Sequence, residues 1–243
     1  MIDNLQQIRA LNQRGGRPLS LVDLIAANTL DLEMAATLAG AVSAGASFLT
    51  AARPGNAGKT TLMASLLAFL PPGRRIVTID DGRPVTGAPA EACLLAHEIG
   101  AAPIYSYLWG APARRFFEAI GPGISVASCI HADTLAELRG TLCGGEIGLA
   151  AEVFARIDLV AFLRLDATPQ GYRRRVAALY ASGREGHRRL FRWEQASDTF
   201  VREASPERWS EAIDRARALL ERLRASGTSA FESVFAAARE TSA

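Results

Sequence analysis

The apolar positions of the chain fall into short runs that alternate with longer amphipathic stretches. The runs at residues 45–50, 75–81, 103–108 and 124–130 have the length of buried strands. The stretches at 18–27, 29–42, 59–70, 91–99, 112–120 and 134–142 are interpreted as helices, the second of them capped by Asp31. Strands that alternate with helices indicate an α/β fold with a mostly parallel sheet flanked by helices.

The last third of the chain has a different pattern. Residues 157–165 and 172–180 predict two antiparallel strands joined by a turn, and 190–194 predict a further edge strand. A charged amphipathic helix over 206–225, with Ser205 as its cap, precedes a last helix over 231–239. We therefore expect a lead-in or linker at 1–28, an α/β domain at 29–200 and a C-terminal helical segment at 201–243.

The stretch at residues 48–63 has the layout of a phosphate-binding P-loop. An apolar run ends, a glycine-bearing turn follows, and Gly58-Lys59-Thr60-Thr61 opens a helix. In such a loop, free backbone N–H groups and the helix dipole converge on one cavity. Lys59 is expected to reach the β- and γ-phosphates of a nucleotide, and Thr60 to hold Mg²⁺. The predicted phosphate-binding residues are Gly55, Asn56, Ala57, Gly58, Lys59, Thr60 and Thr61.

Other residues near this motif leave alternatives open. The P-loop pattern has glycine where this chain has Arg53, so Arg53 either strains the backbone or folds its side chain over the phosphates. Asp80 and Asp81 end an apolar run, as a carboxylate pair for chemistry or as a plain strand-end turn. His131 also ends an apolar run, where a capping or core histidine is the ordinary alternative.

Composition limits the classes of function. The chain has 243 residues, of which 49% are hydrophobic, and a formal net charge of +2. This suits one large domain and makes no case for a nucleic-acid partner. Arginine runs at 173–175 and 188–189 are interpreted as a solvated hairpin edge. Three cysteines without metal-binding spacing indicate buried thiols, and no signal peptide or membrane-spanning run is visible, so a cytoplasmic protein is expected.

The order of these motifs resembles a known family, the type II/IV secretion ATPases, and most of all the tight-adherence (Flp) pilus assembly ATPases. Residues 19–35 resemble the family's linker and first helix, 67–81 its P-loop helix and acidic box, and 129–138 its His box. The resemblance covers roughly residues 18–194. It implies RecA-like ATPase domains in hexameric rings, which use ATP and Mg²⁺ to drive pilin assembly or secretion through an inner-membrane platform protein. A position at the inner face of the membrane would follow.

The resemblance also implies roles for individual residues. Asp80 and Asp81 occupy the family's acidic box, where either would orient or deprotonate the attacking water, and Asp81 would share Mg²⁺ with Thr60. His131 would lie near the γ-phosphate and sense its loss.

Departures from the family pattern lead to competing hypotheses. The family's Gly-Glu-x-Arg-Gly segment is aligned with residues 106–110, so that Tyr107 replaces the catalytic Glu, and Gly121-Pro122-Gly123 replaces the family's Thr-Gly-His. One hypothesis is an ATPase that powers secretion or pilus assembly. The other is a degenerate paralogue that does not hydrolyse ATP and acts as a regulatory or structural subunit. An unrelated P-loop kinase or transferase ranks last.

Overall fold

One mixed sheet runs through the part of the chain that the computed structural model describes, residues 3–11, 15–80, 90–169 and 171–241. Its strands are β1 Phe48–Ala51, β2 Arg75–Thr78, β3 Ala92–Ile99, β4 Tyr107–Leu108, β5 Ile124–Ile130, β6 Leu159–Thr168, β7 Gly171–Gly183, β8 Gly186–Glu194 and β9 Thr199–Arg202. Their order is β2-β3-β5-β1-β6-β7-β8-β9, with β4 paired to β3. The strands from β2 to β6 pair in parallel and those from β6 to β9 antiparallel. The predicted fold class, with an antiparallel hairpin after a parallel sheet, is confirmed.

Helices cover both faces of the sheet. They are α1 Asn4–Ala10, α2 Leu21–Ala26, α3 Leu32–Ser43, α4 Lys59–Leu67, α5 Ala111–Glu118, α6 Leu135–Cys143, α7 Ala151–Phe154, α8 Ser210–Ala225 and α9 Phe231–Thr241. One apolar core lies under α1 to α4, α8 and α9, and the other under α5 to α7. Along β3, Cys93 and Leu95 face the first core while Leu94 and Ala96 face the second, as the two-residue period of a strand requires.

The C-terminal helix α8 packs closely on α3. A Cβ added to Gly40 of α3 would lie 2.6 Å from the Cα and the backbone N of Ile213 in α8. The buried face of α8, including Leu219 and Leu220, belongs to the same core as α3. Gly40 therefore permits the close crossing through which α8 completes this core.

The amide side chain of Asn4, in α1, bonds to the outer edge of β2. Its Nδ2 donates to the carbonyl oxygen of Arg74 at 2.9 Å, and its Oδ1 accepts from the backbone N–H of Ile76 at 2.9 Å. The Thr78 hydroxyl adds a bond of 2.6 Å to Oε1 of Gln7. These contacts attach α1 to the edge of the sheet.

Several predicted elements are confirmed and a few are wrong. The helix at 91–99 is wrong, because residues 92–99 form the buried strand β3, and the strand at 103–108 shrinks to Tyr107–Leu108. Ser205 does not cap α8, which begins at Ser210 after a 3-10 turn at Glu207–Trp209. The strand β9 and the short helix α7 were not predicted. Asp31 caps α3 as expected, since its carboxylate accepts from Met34 N at 2.8 Å.

Within the described ranges, no helix is both long and apolar enough to cross a lipid bilayer.

Candidate functional site

The loop between β1 and α4 wraps around the N-terminus of α4. Asn56 and Gly58 adopt left-handed backbone conformations, with φ of 68° and 98°. Gly58 stands at the N-cap position, where it supplies no side-chain cap to the first turn of the helix. The N–H groups of this turn have no intrahelical acceptor, so they remain available for an anion.

A cleft of about 1210 Å³ opens over this loop. All seven predicted phosphate-binding residues, Gly55 to Thr61, line it. On the other sides it is lined by His97, Glu98 and Tyr107, by His131, by residues of the N-terminal segment, and by three arginines of β7. The structure thus brings the P-loop residues and His131 into one cavity.

Lys59 is buried beneath the loop. Its Nζ donates to the carbonyl oxygen of Ala52 at 3.2 Å and lies 3.8 Å from Oε1 of Glu98. The hydroxyl of Thr50, in β1, bonds to the carbonyl oxygen of Lys59 at 3.2 Å. The ammonium group is therefore held between the loop and a carboxylate.

Glu98 is the carboxylate that the sequence reasoning missed. Its side chain is only 8% exposed, and its Oε1 lies 3.8 Å from Lys59 Nζ and 3.9 Å from His131 Nε2. This oxygen is buried without a hydrogen-bond partner among the described residues. Burial raises the pKa of Glu98, against the opposing charges of Lys59 and His131.

A bulge near the end of β3 accompanies the position of Glu98. The register between β3 and β5 shifts between Ala96 and Ile99. The Ser106 carbonyl oxygen accepts from His97 N at 2.9 Å and from Glu98 N at 3.4 Å. Bulges of this kind re-aim side chains next to functional sites.

This geometry corrects the expectation that the site lacks a carboxylate because Tyr107 replaces it. Tyr107 lies in β4, half-buried at the wall of the cleft, while Glu98 faces Lys59. The signal in the sequence was an apolar run that ends in His97-Glu98-Ile99-Gly100, where Glu98 matches the Glu of the family's Gly-Glu-x-Arg-Gly and Gly100 stands at the position of its Arg. It was missed because residues 91–99 were interpreted as a helix.

The side chain of Arg53 points to α6, and it neither covers the phosphate site nor occupies a left-handed conformation. Its guanidinium forms an ion pair with Glu137, and its backbone N–H donates to Asp133 Oδ1 at 2.8 Å. Its carbonyl oxygen lies 2.8 Å from Nδ1 of His131. Since a carbonyl can only accept, His131 carries a proton on Nδ1 and directs Nε2 towards Glu98. Both alternatives stated for Arg53 are thus wrong.

The remaining predicted site residues are Thr60, Asp80 and Asp81. The Thr60 hydroxyl lies 3.8 Å from Cys129 Sγ, a thiol whose pKa burial raises to about 12. Asp80 follows β2, which β3 and β5 separate from β1, and it is not among the described residues that line the cleft. Asp81 lies outside the described residues. The catalytic roles predicted for Asp80 and Asp81 stay predictions.

Solved structures include two ATPases to which the chain is similar. It matches the VirB11 ATPase from the Brucella suis type IV secretion system with a TM-score of 0.42 and 20% identity, over 74% of this chain and 56% of that one. It matches the Legionella pneumophila ATPase DotB with a TM-score of 0.47 and 14% identity, over 93% of this chain and 68% of that one. The chain thus spans little more than half the length of the VirB11 ATPase. Both neighbours are ATPases, and the VirB11 ATPase comes from a type IV secretion system.

No family model and no curated protein matches the chain.

Proposed function

We propose that the chain binds ATP with Mg²⁺ in the cleft over the P-loop and hydrolyses it. The observation that carries this proposal is the buried carboxylate of Glu98, 3.8 Å from the P-loop lysine Lys59. A P-loop supplies binding for phosphates, and a nearby carboxylate supplies the group that accepts a proton from water.

The described residues fit a bound Mg²⁺ that is shared with phosphates. No cluster of three or more His, Cys, Asp or Glu that could hold a metal occurs among them, so the ion would need oxygens from the nucleotide. Mg²⁺ is commonly bound in this way, by one or two protein groups together with substrate phosphates. Thr60 and the unpartnered Oε1 of Glu98 would hold it here, directly or through water. The bound ion would neutralise charge on the phosphate oxygens.

The chain's own residues divide the remaining work. The N–H groups of residues 58–61 and the ammonium of Lys59 bind phosphate oxygens. Glu98 orients the attacking water and accepts its proton, a role that suits a carboxylate whose pKa burial raises. His131, oriented by the carbonyl of Arg53, stands next to Glu98 and responds to the terminal phosphate.

The use of this activity is proposed from the sequence resemblance. Hydrolysis would power pilin assembly or protein secretion, by a homo-oligomeric ring that docks on an inner-membrane platform protein from the cytoplasmic side. The same resemblance supports Asp80 and Asp81 as further catalytic carboxylates, and residues 29–200 as the ATPase domain.

Steady-state phosphate release from Mg-ATP tests the hydrolysis. We expect turnover by the wild type, and loss of turnover in Lys59→Ala because phosphate binding fails. Glu98→Gln should retain nucleotide binding but lower kcat about 100-fold or more, because an amide cannot accept the proton of water. Tyr107→Phe is the matched control and should turn over like the wild type.

Each other outcome has a distinct meaning. Nucleotide binding that depends on Lys59, without turnover, would favour the non-hydrolysing paralogue. A large loss in Tyr107→Phe with none in Glu98→Gln would contradict the role of Glu98. Asp80→Asn and Asp81→Asn in the same assay test the acidic box.

A further inference from the structure

Three consecutive arginines of β7 line the cleft opposite β3, and two of them are neutralised by carboxylates. Arg173 lies 3.3 Å from Asp166, and Arg175 forms two bonds of 2.7 Å to Asp198. Arg174 has no carboxylate within ion-pair distance among the described residues. Its positive charge therefore faces the cleft without a counter-ion from the described chain.

Arg174 is attached to the P-loop itself. Its Nε donates to the carbonyl oxygen of Asn56 at 2.8 Å. Its Cδ would lie 3.6 Å from a Cβ built on Gly58, so the side chain crosses the turn that leads into α4. The terminal nitrogens of Arg174 make no hydrogen bond to another described residue. The two terminal nitrogens of this guanidinium thus remain available for a ligand at the turn that leads into α4.

The charges around the cleft suit a polyanion. Its described lining contains Lys59 and four arginines, Arg17 and the three of β7, against a single carboxylate, Glu98. A guanidinium presents its donors in a fork that matches two oxygens of one phosphate, which a lysine cannot do. Among these arginines, Arg174 has no carboxylate of the described residues within ion-pair distance, and it also contacts the P-loop directly.

We propose that Arg174 binds a phosphate group of the nucleotide, as an arginine supplied in cis from β7. This inference rests on the proposed function, because it needs a nucleotide in the cleft. It extends the site beyond the P-loop to the antiparallel hairpin of β6 and β7. Nucleotide binding would thereby depend on β7, an antiparallel strand that lies outside the P-loop motif.

Equilibrium binding of Mg-ADP and of adenosine, measured by calorimetry, tests the proposal with five variants. Arg174→Ala should weaken Mg-ADP binding about tenfold or more, as expected when a charge-assisted phosphate contact is lost. Adenosine, which has no phosphate, should bind Arg174→Ala and the wild type equally. Arg174→Lys should retain part of the affinity for Mg-ADP through its charge.

Arg174→Gln separates phosphate binding from attachment of the loop. Glutamine can still donate to the Asn56 carbonyl but has no charge, so Mg-ADP affinity like that of the wild type would overturn the proposal. A loss as large as in Arg174→Ala supports it. Arg164→Ala is the matched control, because Arg164 lies on the same hairpin, is paired with Asp166 and does not line the cleft. A loss equal to that of Arg174→Ala in this control would also overturn the proposal.

Lys59→Ala distinguishes the failure of the two proposals. If neither the wild type nor Lys59→Ala binds Mg-ADP, the proposed nucleotide site is wrong, and Arg174 falls with it. If the wild type binds Mg-ADP, Lys59→Ala does not, and Arg174→Ala binds as the wild type does, only the role of Arg174 is overturned.

Discussion

The protonation of single side chains decides what the cleft can do. Glu98 is buried beside one ammonium and one imidazole, and its pKa is raised above the ordinary 4.5 because burial outweighs the attraction of both neighbours. A general base must be ionised to accept a proton, so activity should decrease as pH falls through this raised pKa.

We therefore expect the pH profile of kcat to have an acidic limb above pH 4.5, the ordinary value for a glutamate. The residual rate of Glu98→Gln should lack this limb, because glutamine does not titrate in this range. Circular dichroism over the same pH values controls for unfolding. An acidic limb that persists unchanged in Glu98→Gln would show that another group titrates.

Arg53 offers a second test at the scale of one residue. Its side chain is 66% exposed, is directed towards Glu137 and does not line the cleft. Arg53→Gly, which restores the residue of the P-loop pattern, should therefore leave the Kd for Mg-ADP within about twofold. Stability should fall by about 1 kcal/mol or less, from the loss of an exposed ion pair and the added freedom of glycine.

The matched change at the other end of this ion pair is Glu137→Gln, which should have an equally small effect on Kd. A tenfold gain in affinity in Arg53→Gly alone would show that the arginine obstructs the phosphates.

At the scale of elements, β3 shows why the pattern of the sequence was misread. From Ala92 to Ala96 its residues are Ala, Cys and Leu, of which Ala and Leu favour helices and none is β-branched. The strand is buried on both faces, so no polar residue alternates with the apolar ones to indicate a period of two. The turn and helix of the P-loop stretch could be predicted because the glycine, lysine and threonine spacing of such loops is fixed by phosphate geometry; phosphate binding there stays a prediction. Glu98 was not predicted because its strand was not, and because its position next to Lys59 follows only from the tertiary structure.

The close crossing of α3 and α8 leads to a prediction about stability. Gly40→Ala should lower the free energy of unfolding by about 1–3 kcal/mol, because the added methyl meets the backbone of Ile213 and α8 must move. Urea denaturation measures this. The control is Gly140→Ala in α6, where an added Cβ has nothing within 4 Å.

Gly140→Ala should instead stabilise the protein by about 0.5–1 kcal/mol, because alanine has less freedom to lose in a helix. Equal effects of the two substitutions would mean that the close crossing at Gly40 is absent in solution.

Across the whole molecule, one carboxylate joins the N-terminal segment to the antiparallel strands. Asp198 binds Arg175 through two bonds of 2.7 Å and accepts from Trp193 Nε1 at 2.9 Å. Asn28 Nδ2 donates to the carbonyl oxygen and to Oδ2 of Asp198, each at 3.4 Å. The bond from Arg175 first, and then that from Trp193, lower the pKa of Asp198 to about 2.

The sign of the resulting pH dependence follows from this lowered pKa. The unfolded chain binds a proton at Asp198 near pH 3.8, and the folded chain only near pH 2. The stabilisation is therefore complete above about pH 4 and is lost as pH falls towards 2. Asp198→Asn should lower the free energy of unfolding at pH 7 by on the order of 2 kcal/mol, because Arg175 stays buried without its counter-ion.

The size of the Asp198→Asn effect should shrink as the pH is lowered, which denaturation at pH 7 and pH 3 measures. Glu211→Gln is the control, because its partner Arg215 and Glu211 itself are 59% and 91% exposed. It should change stability by less than about 0.5 kcal/mol at either pH. An Asp198→Asn effect that does not vary with pH would contradict the lowered pKa.

The bonds of Asn4 have a consequence for how copies of this protein behave in concentrated solution. An outermost strand normally offers a row of N–H and C=O groups to which a foreign strand can add. At β2 one side-chain amide occupies the carbonyl of Arg74 and the N–H of Ile76, as a single peptide unit of such a strand would. At these two positions the edge of the sheet therefore has no free backbone group to which a strand of another copy could bind.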